Sequence, residues 1–249
     1  YSGGAKAIMP GVSTPAAIQA NHRMMVQESA CAGKLDGNPI RADIEEAGRI
    51  CGADYIVNVV LDEHKHIVHA VAGDAIEAHR AGCAYLDKMY RKPIPARADI
   101  VLVSQGGAPK DANLYQVQKA LDNAKHAVKP GGTIILIGAC SEGLGSATFE
   151  RWLKEAPTAH SMIERVHEHF ELGGHKAAAI AMVLENARID LVSELPDEFV
   201  RSIFLNPQPD AQTALNAALA QYGKHATVLA MPFGGATLPV ISQTEEASL

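Results

Sequence analysis

From residue 98 onward the chain alternates short runs of branched apolar residues with longer amphipathic segments, and that rhythm most restricts its fold. "DIVLVSQGG", "TIILIGAC", "RIDLVSE" and "HATVLAMP" read as strands. Between them lie "DANLYQVQKALDNAKHAVKPGG", helical patterning across residues 146–185, and "PDAQTALNAALAQYG". Strands without polar alternation need cover on both faces, which helical crossovers supply, so a mainly parallel sheet flanked by helices is expected. The first part reads differently. A helix opens at Pro15 behind Ser13 or Thr14 as cap, and a second runs through "NPIRADIEEAGRICG" to Gly52. "DYIVNVVLD" and "HIVHAVAG" suggest a hairpin, and a further helix follows Asp74 as its cap. Proline-rich "PIPARAD" is the best linker. The expected fold class is therefore α/β in two lobes, 1–92 and 98–225, with 226–249 as a final strand and tail packing back on the first lobe.

Composition narrows the partners. No apolar run is long enough to cross a bilayer and no signal peptide is visible, so a soluble, cytoplasmic protein without a membrane partner is expected. The net charge of −6 is dispersed, and no basic stripe with interleaved aromatics argues for nucleic acid. Cys31, Cys51, Cys83 and Cys140 are too far apart for a zinc ribbon or a disulfide scaffold, and read as buried, reduced thiols. The chain opens on "YSGGAKAIMPG" without an initiator Met and is expected to be a fragment.

Several residues carry chemistry. Gly3 and Gly4 beside Lys6 make a loop that can approach an anionic or bulky ligand, although the Walker A spacing is absent. Lys6 itself is a solvated lysine, a phosphate-binding point charge or a covalent attachment point. On the first helix, Ile18, His22, Met25 and Val26 share one face, so His22 is either a core histidine bonded to a carbonyl or a metal ligand. In the helix after "SQGGAPKD", a core stripe of Leu114, Val117, Leu121, Ala124 and Val128 leaves Tyr115, Gln116 and Lys119 together on the other side. That trio is a solvated face or a clamp for a small carboxylate across a cleft between the lobes. His64, His66 and His69 are weak metal candidates, because His69 points away from the other two on a strand. "GACSEGLGS" misses the dinucleotide glycine register. His175, after a Gly-Gly, is a capping-region histidine or reaches a cleft.

Taken together, "YSGGAKAIMPG", "NH" at 21–22, "VNVVLD…AVAGD…AHRAG" at 57–82, "GGAPKDANLYQVQKA" at 106–120 and "KPGGTIILIGACSEGLG" at 129–145 resemble the nickel-dependent lactate racemase family. The resemblance implies that residues 1–92 are the remainder of an N-terminal cofactor-binding domain. It implies a nickel-pincer nucleotide joined covalently to Lys6 in the Gly3–Gly4 loop, with His22 as the protein ligand to nickel. Lys119 would bind a substrate carboxylate, with Tyr115 and Gln116 lining its pocket, and His175 aligns with a position that varies with substrate. The implied reaction is racemisation or epimerisation of a 2-hydroxy acid by transient hydride transfer, with cofactor-synthesis proteins as maturation partners. The family's two acid–base histidines, and its aspartate and arginine near the cofactor phosphate, lie upstream of the lysine loop, so the 249-residue chain alone is expected to be inactive. Two other readings stay open: an α/β oxidoreductase using a nicotinamide, or a non-catalytic nucleotide- or metabolite-binding module. Neither the particular 2-hydroxy acid nor the oligomeric state is legible.

Overall fold

The computed structural model describes residues 1–62 and 65–242. They form two compact units, one of Tyr1–Tyr90 with Arg165–His175 and one of Arg91–Glu164 with the chain from Lys176 onward.

In the first unit a 3₁₀ turn, Gly4–Ala7, precedes α1 (Pro15–Arg23). The Thr14 side chain accepts from the Ala17 amide and Pro15 occupies the first turn, as the capping pattern predicts. A 3₁₀ turn, Met24–Val26, follows, then α2 (Pro39–Cys51), capped by Asn38. Strands β1 (Ile56–Leu61) and β2 (Ile67–Gly73) pair antiparallel as the expected hairpin. Asp74 accepts from the amides of Ile76 and Glu77 ahead of α3 (Glu77–Tyr90).

The second unit opens with β3 (Arg91–Ile94), followed by β4 (Ala98–Ser104), α4 (Leu114–Ala124), β5 (Val128–Ile137), α5 (Ala147–Glu155), α6 (Ala159–Glu168), α7 (Gly174–Leu184), β6 (Ala187–Val192), α8 (Asp197–Ser202), β7 (Asn206–Gln208), α9 (Ala211–Tyr222), β8 (Val228–Met231) and β9 (Leu238–Ile241). Parts of α6 and α7 belong to the first unit. The sheet has the order β7-β6-β5-β4-β8 and every pairing is parallel, as the strand–helix rhythm demands. Ile100 and Ile135 from its centre pack on Ala214 and Ala218 of α9, while Trp152, Phe149 and Leu153 of α5 are buried completely.

Four expectations are corrected. "PIPARAD" is not a free linker, because its first residues belong to β3, which pairs in parallel with β9. The final strand joins the second unit's sheet beside β4, and β9 stays in that unit too, so 226–242 does not belong to the first lobe. The helix predicted through residue 132 stops at Ala124, and Val128 begins β5. Only Cys83 and Cys140 of the four cysteines are buried; Cys31 is half-buried and Cys51 exposed.

Ile135 is wholly buried at the centre of the sheet. Ile135→Ala is expected to destabilise the second unit by about 2–5 kcal/mol through lost burial and a residual cavity, read as a lower urea midpoint by circular dichroism.

Candidate functional site

The turn that carries Lys6 is short and is positioned from three sides. The Gly4 amide donates to Asn58 Oδ1 on β1 at 2.7 Å. A side chain on Gly4 would come within 2.8 Å of the His79 ring on α3, and the backbone there has a φ of +62°, so only glycine fits. Ala5 lies against Gly48 of α2, where a Cβ on Gly48 would approach it to 2.6 Å. The glycines therefore serve packing: Gly3, with φ +89°, has the Asn58 side chain against it, and neither Gly3 nor Gly4 lines the cavity beyond.

That cavity, about 140 Å³, is lined by Lys6, Asn21, His22, Lys34 and Arg41, with Tyr1, Met25 and Cys31 among its other walls. The Lys6 side chain reaches open space, yet partial burial of its amine, and then the charge of Arg41, push its pKa below the usual 10.5. Burial first, and then Lys6, lower the pKa of His22, against an opposing pull from the Ile18 carbonyl. His22 Nδ1 is buried and makes no hydrogen bond of good geometry. The sequence placed His22 on the inward face of α1, but the most buried residue there is Asn21, 1% exposed. Asn21 Nδ2 donates to the Ile40 carbonyl and to Asp43, leaving its Oδ1 buried and without a partner. His22 is half-buried among rings: it meets His175 edge-on at 5.9 Å and Phe170 at 6.1 Å, and Phe170 stacks on His175. The structure thus brings His175 to His22, a contact that spacing alone does not reveal.

Sequence reasoning missed Arg41 and His79. Arg41 is 6% exposed and its Nη2 donates to the His79 imidazole at 2.7 Å. Burial first, and then Arg41, push His79 down to about 4, so the ring is a neutral acceptor at ordinary pH. The only signal available was a charged residue within an amphipathic helix pattern, which by itself indicates a solvated face.

In the second unit α4 presents the other trio. Asn113 caps its start by accepting from the Gln116 amide. The amides of Leu114 and Tyr115 donate to the carbonyls of Gly143 and Leu144. The glycine-containing loop after β5 therefore satisfies this helix end instead of offering it to a phosphate. Lys119 Nζ donates to Gln116 Oε1 at 2.6 Å on the exposed face. Tyr115 is half-buried, its ring edge-on to Phe149, with burial raising its pKa. A further lysine joins it: Lys176 Nζ lies 5.6 Å from the Tyr115 ring centroid and donates to the fully buried Gln118 at 2.6 Å. Its signal was a lone lysine opening the alanine-rich run "HKAAAIA".

The hairpin histidines do not converge. His66 bonds Asp62, His69 stacks on Tyr85 at 4.1 Å, and His64 lies outside the described residues. Among the described residues no three His, Cys, Asp or Glu side chains gather to hold a metal. A metal at His22 would therefore take its other donors from a bound group. The neutral imidazole of His22 and the amine of Lys6 on the same cavity fit a group that brings its own donors and is tethered through an amine.

Fold and cavity define a two-unit α/β protein with an amine, an imidazole and a guanidinium on one wall. Residues 94–239 match the lactate racemase C-terminal domain and residues 1–33 the lactate racemase N-terminal domain, and the chain belongs to the lactate racemase family. It is 32% identical to the lactate racemase of Thermoanaerobacterium thermosaccharolyticum over 94% of its length, and 30% identical to that of Lactiplantibacillus plantarum over the same share. It spans about half the length of these curated relatives, 56% and 57%. The solved lactate racemase apoprotein from Thermoanaerobacterium thermosaccharolyticum superposes with a TM-score of 0.89 at 31% identity, over 96% of this chain and 59% of that one. A Thermotoga maritima protein shares the fold at a TM-score of 0.69 and 16% identity, over 97% of this chain and 63% of that one. Among the described residues no helix is long and apolar enough to cross a membrane.

Two outcomes test the geometry. Gly48→Leu is expected to expel Ala5 and loosen the turn, read as faster tryptic cleavage after Lys6 with the second unit's circular dichroism unchanged. The low pKa of His79 has a definite sign. Between pH 6.5 and about 4 the unfolded chain binds a proton that the folded chain refuses. Stability is therefore retained above pH 6.5 and lost as pH falls through that window, by at most about 3 kcal/mol. The urea midpoint of His79→Gln should fall less steeply across it than that of the wild type.

Proposed function

We propose that this chain forms the cofactor-anchoring and carboxylate-binding part of a 2-hydroxy acid racemase or epimerase. In this reading a nickel-pincer nucleotide is attached through Lys6, with His22 as protein ligand to the nickel. The observation that carries it is the shared cavity wall of Lys6 and His22, an amine and an imidazole whose basicity burial lowers in both. Membership of the lactate racemase family supports the reaction class.

When bound, the cofactor supplies a reversible acceptor for the substrate's α-hydrogen as hydride. The chain's own residues do the rest by position. The clamped turn holds the Lys6 amine, and burial keeps His22 in the donor form. Lys119 spends one of its three N–H donors on Gln116 and keeps two for a carboxylate. Accepting at Oε1 leaves the Gln116 amide nitrogen free to donate to the same oxyanion, and Tyr115 and Lys176 border that face. No histidine of this chain is assigned the hydroxyl proton. A small 2-hydroxy acid is the substrate class, and cofactor-synthesis proteins are the maturation partners.

The chain co-produced with cofactor-synthesis proteins should carry a mass increment on Lys6 by intact and peptide mass spectrometry, with nickel in proportion. Lys6→Met should lose both. His22→Ala should keep the increment and lose most of the nickel. A wild-type chain of unmodified mass under these conditions overturns the attachment.

A further inference from the structure

The carboxylate clamp on α4 uses Lys119 and leaves a second ammonium idle. At about 100° per residue, Lys119 stands about 40° to one side of Tyr115 and Gln118 about 60° to the other. Lys176, from α7, joins the Gln118 side, so the phenol separates two ammoniums. Each is held by a neutral amide oxygen at 2.6 Å, Lys119 by Gln116 and Lys176 by Gln118. Among the described residues neither pairs with a carboxylate, and Asp122, whose charge reaches Lys176, is ion-paired to Lys125 at 3.2 Å. Burial, and then Lys119 and Lys125 against the pull of Asp122, lower the pKa of Lys176, as expected of an ammonium short of anions. Gln118 makes the arrangement costly. It is wholly buried, and its Nε2 finds no acceptor among the described residues. A leucine would fill that helix position without orphaning a donor, so what the amide contributes is its hold on Lys176.

We propose that Lys176 is a second anion anchor of the α4 face, positioned by Gln118, and that this face selects a 2-hydroxy acid with a second carboxylate, a short hydroxydicarboxylate. The proposal rests on the clamp reading, in which Lys119 and Gln116 take the first carboxylate. Lys176 keeps two N–H donors after Gln118 and offers them to the second carboxylate beside the Tyr115 ring. That ring is fixed edge-on to the wholly buried Phe149, so it spaces the two anchors. A lactate methyl would leave the Lys176 ammonium without an anion. A carboxylate there gains charge-assisted bonds in a setting already partly dehydrated, where they count for more than in water.

The test uses the 249-residue chain with malate, lactate and sulfate as probes, followed by titration calorimetry near neutral pH. Malate is expected to bind ~10-fold or more tighter than lactate, the value of one charge-assisted bond. Lys176→Met should lower that malate-to-lactate ratio ~10-fold. Lys176→Arg, which keeps the charge, should restore part of it. Because Lys176→Met leaves the Gln118 oxygen buried and unpaired, its melting midpoint should fall. Gln118→Leu combined with Lys176→Met removes both partners, should melt near wild type and should show the same lost ratio. If that double variant unfolds, the pair is structural and the assignment falls. Equal affinity for malate and lactate, a ratio unchanged by Lys176→Met, or sulfate binding as tightly as malate would each overturn the second anchor. Lys119→Met should weaken both acids. If it weakens neither while Lys176→Met still weakens malate, the clamp fails and Lys176 stands. Lactate binding lost in Lys119→Met without any malate preference means the reverse. No binding of either acid overturns both.

Discussion

Ala5 reaches the flank of α2 only because Gly48 has no side chain there, and the position of Lys6 follows from that contact. The turn from Gly4 to Ala7 is a single stretch of 3₁₀ helix, too short to hold its shape by its own hydrogen bonds. Its rigidity is borrowed. Asn58 fixes one amide from β1, the His79 ring closes over Gly4 from α3, and α2 receives Ala5. A lysine on a free loop would sample many positions. Here three elements leave its backbone one, which is the requirement for presenting an amine beside a chosen imidazole.

The same packing decides protonation. His79 is close to Gly4 and almost wholly buried, so its neutral form prevails and it can accept from Arg41. A protonated His79 would face the guanidinium as a like charge. Arg41 in turn lowers Lys6, and Lys6 lowers His22, so each neutral or weakly basic group is set by the cation next to it as well as by burial. Glu45 compensates Arg41 only from a distance while it ion-pairs with Arg80 and Arg49. The cavity therefore stays electropositive within an acidic chain, a local field that the net charge conceals.

What the sequence makes legible is what repeats locally. The stripe Leu114, Val117, Leu121 and Ala124 is wholly buried because a 3.6-residue period leaves no other face inward. The stripe's extension to Val128 fails, since a buried valine serves a helix and a strand alike and period alone does not separate them. One helical step of 100° separates Asn21 from His22, so the apolar pattern marks the right face but not the residue pointing furthest in. Partners distant in sequence leave no local trace at all. Gln118 with Lys176, β3 with β9, and His22 with His175 are visible only once the chain has folded. The metal and cofactor roles entered through family resemblance, and spacing by itself left Lys6 and His22 open to ordinary structural readings.

Those two residues are coupled more tightly than proximity implies. As a free amine, Lys6 is the second cause depressing the basicity of His22, after burial. Converting that amine to a neutral amide-type linkage removes one cation from a wall that has three. His22 would then be kept neutral by burial alone, which is the larger cause and does not depend on Lys6. Arg41 would lose a like-charged neighbour. Attachment at Lys6 would thus relieve the repulsion between Lys6, Arg41 and His22 without any movement of the backbone.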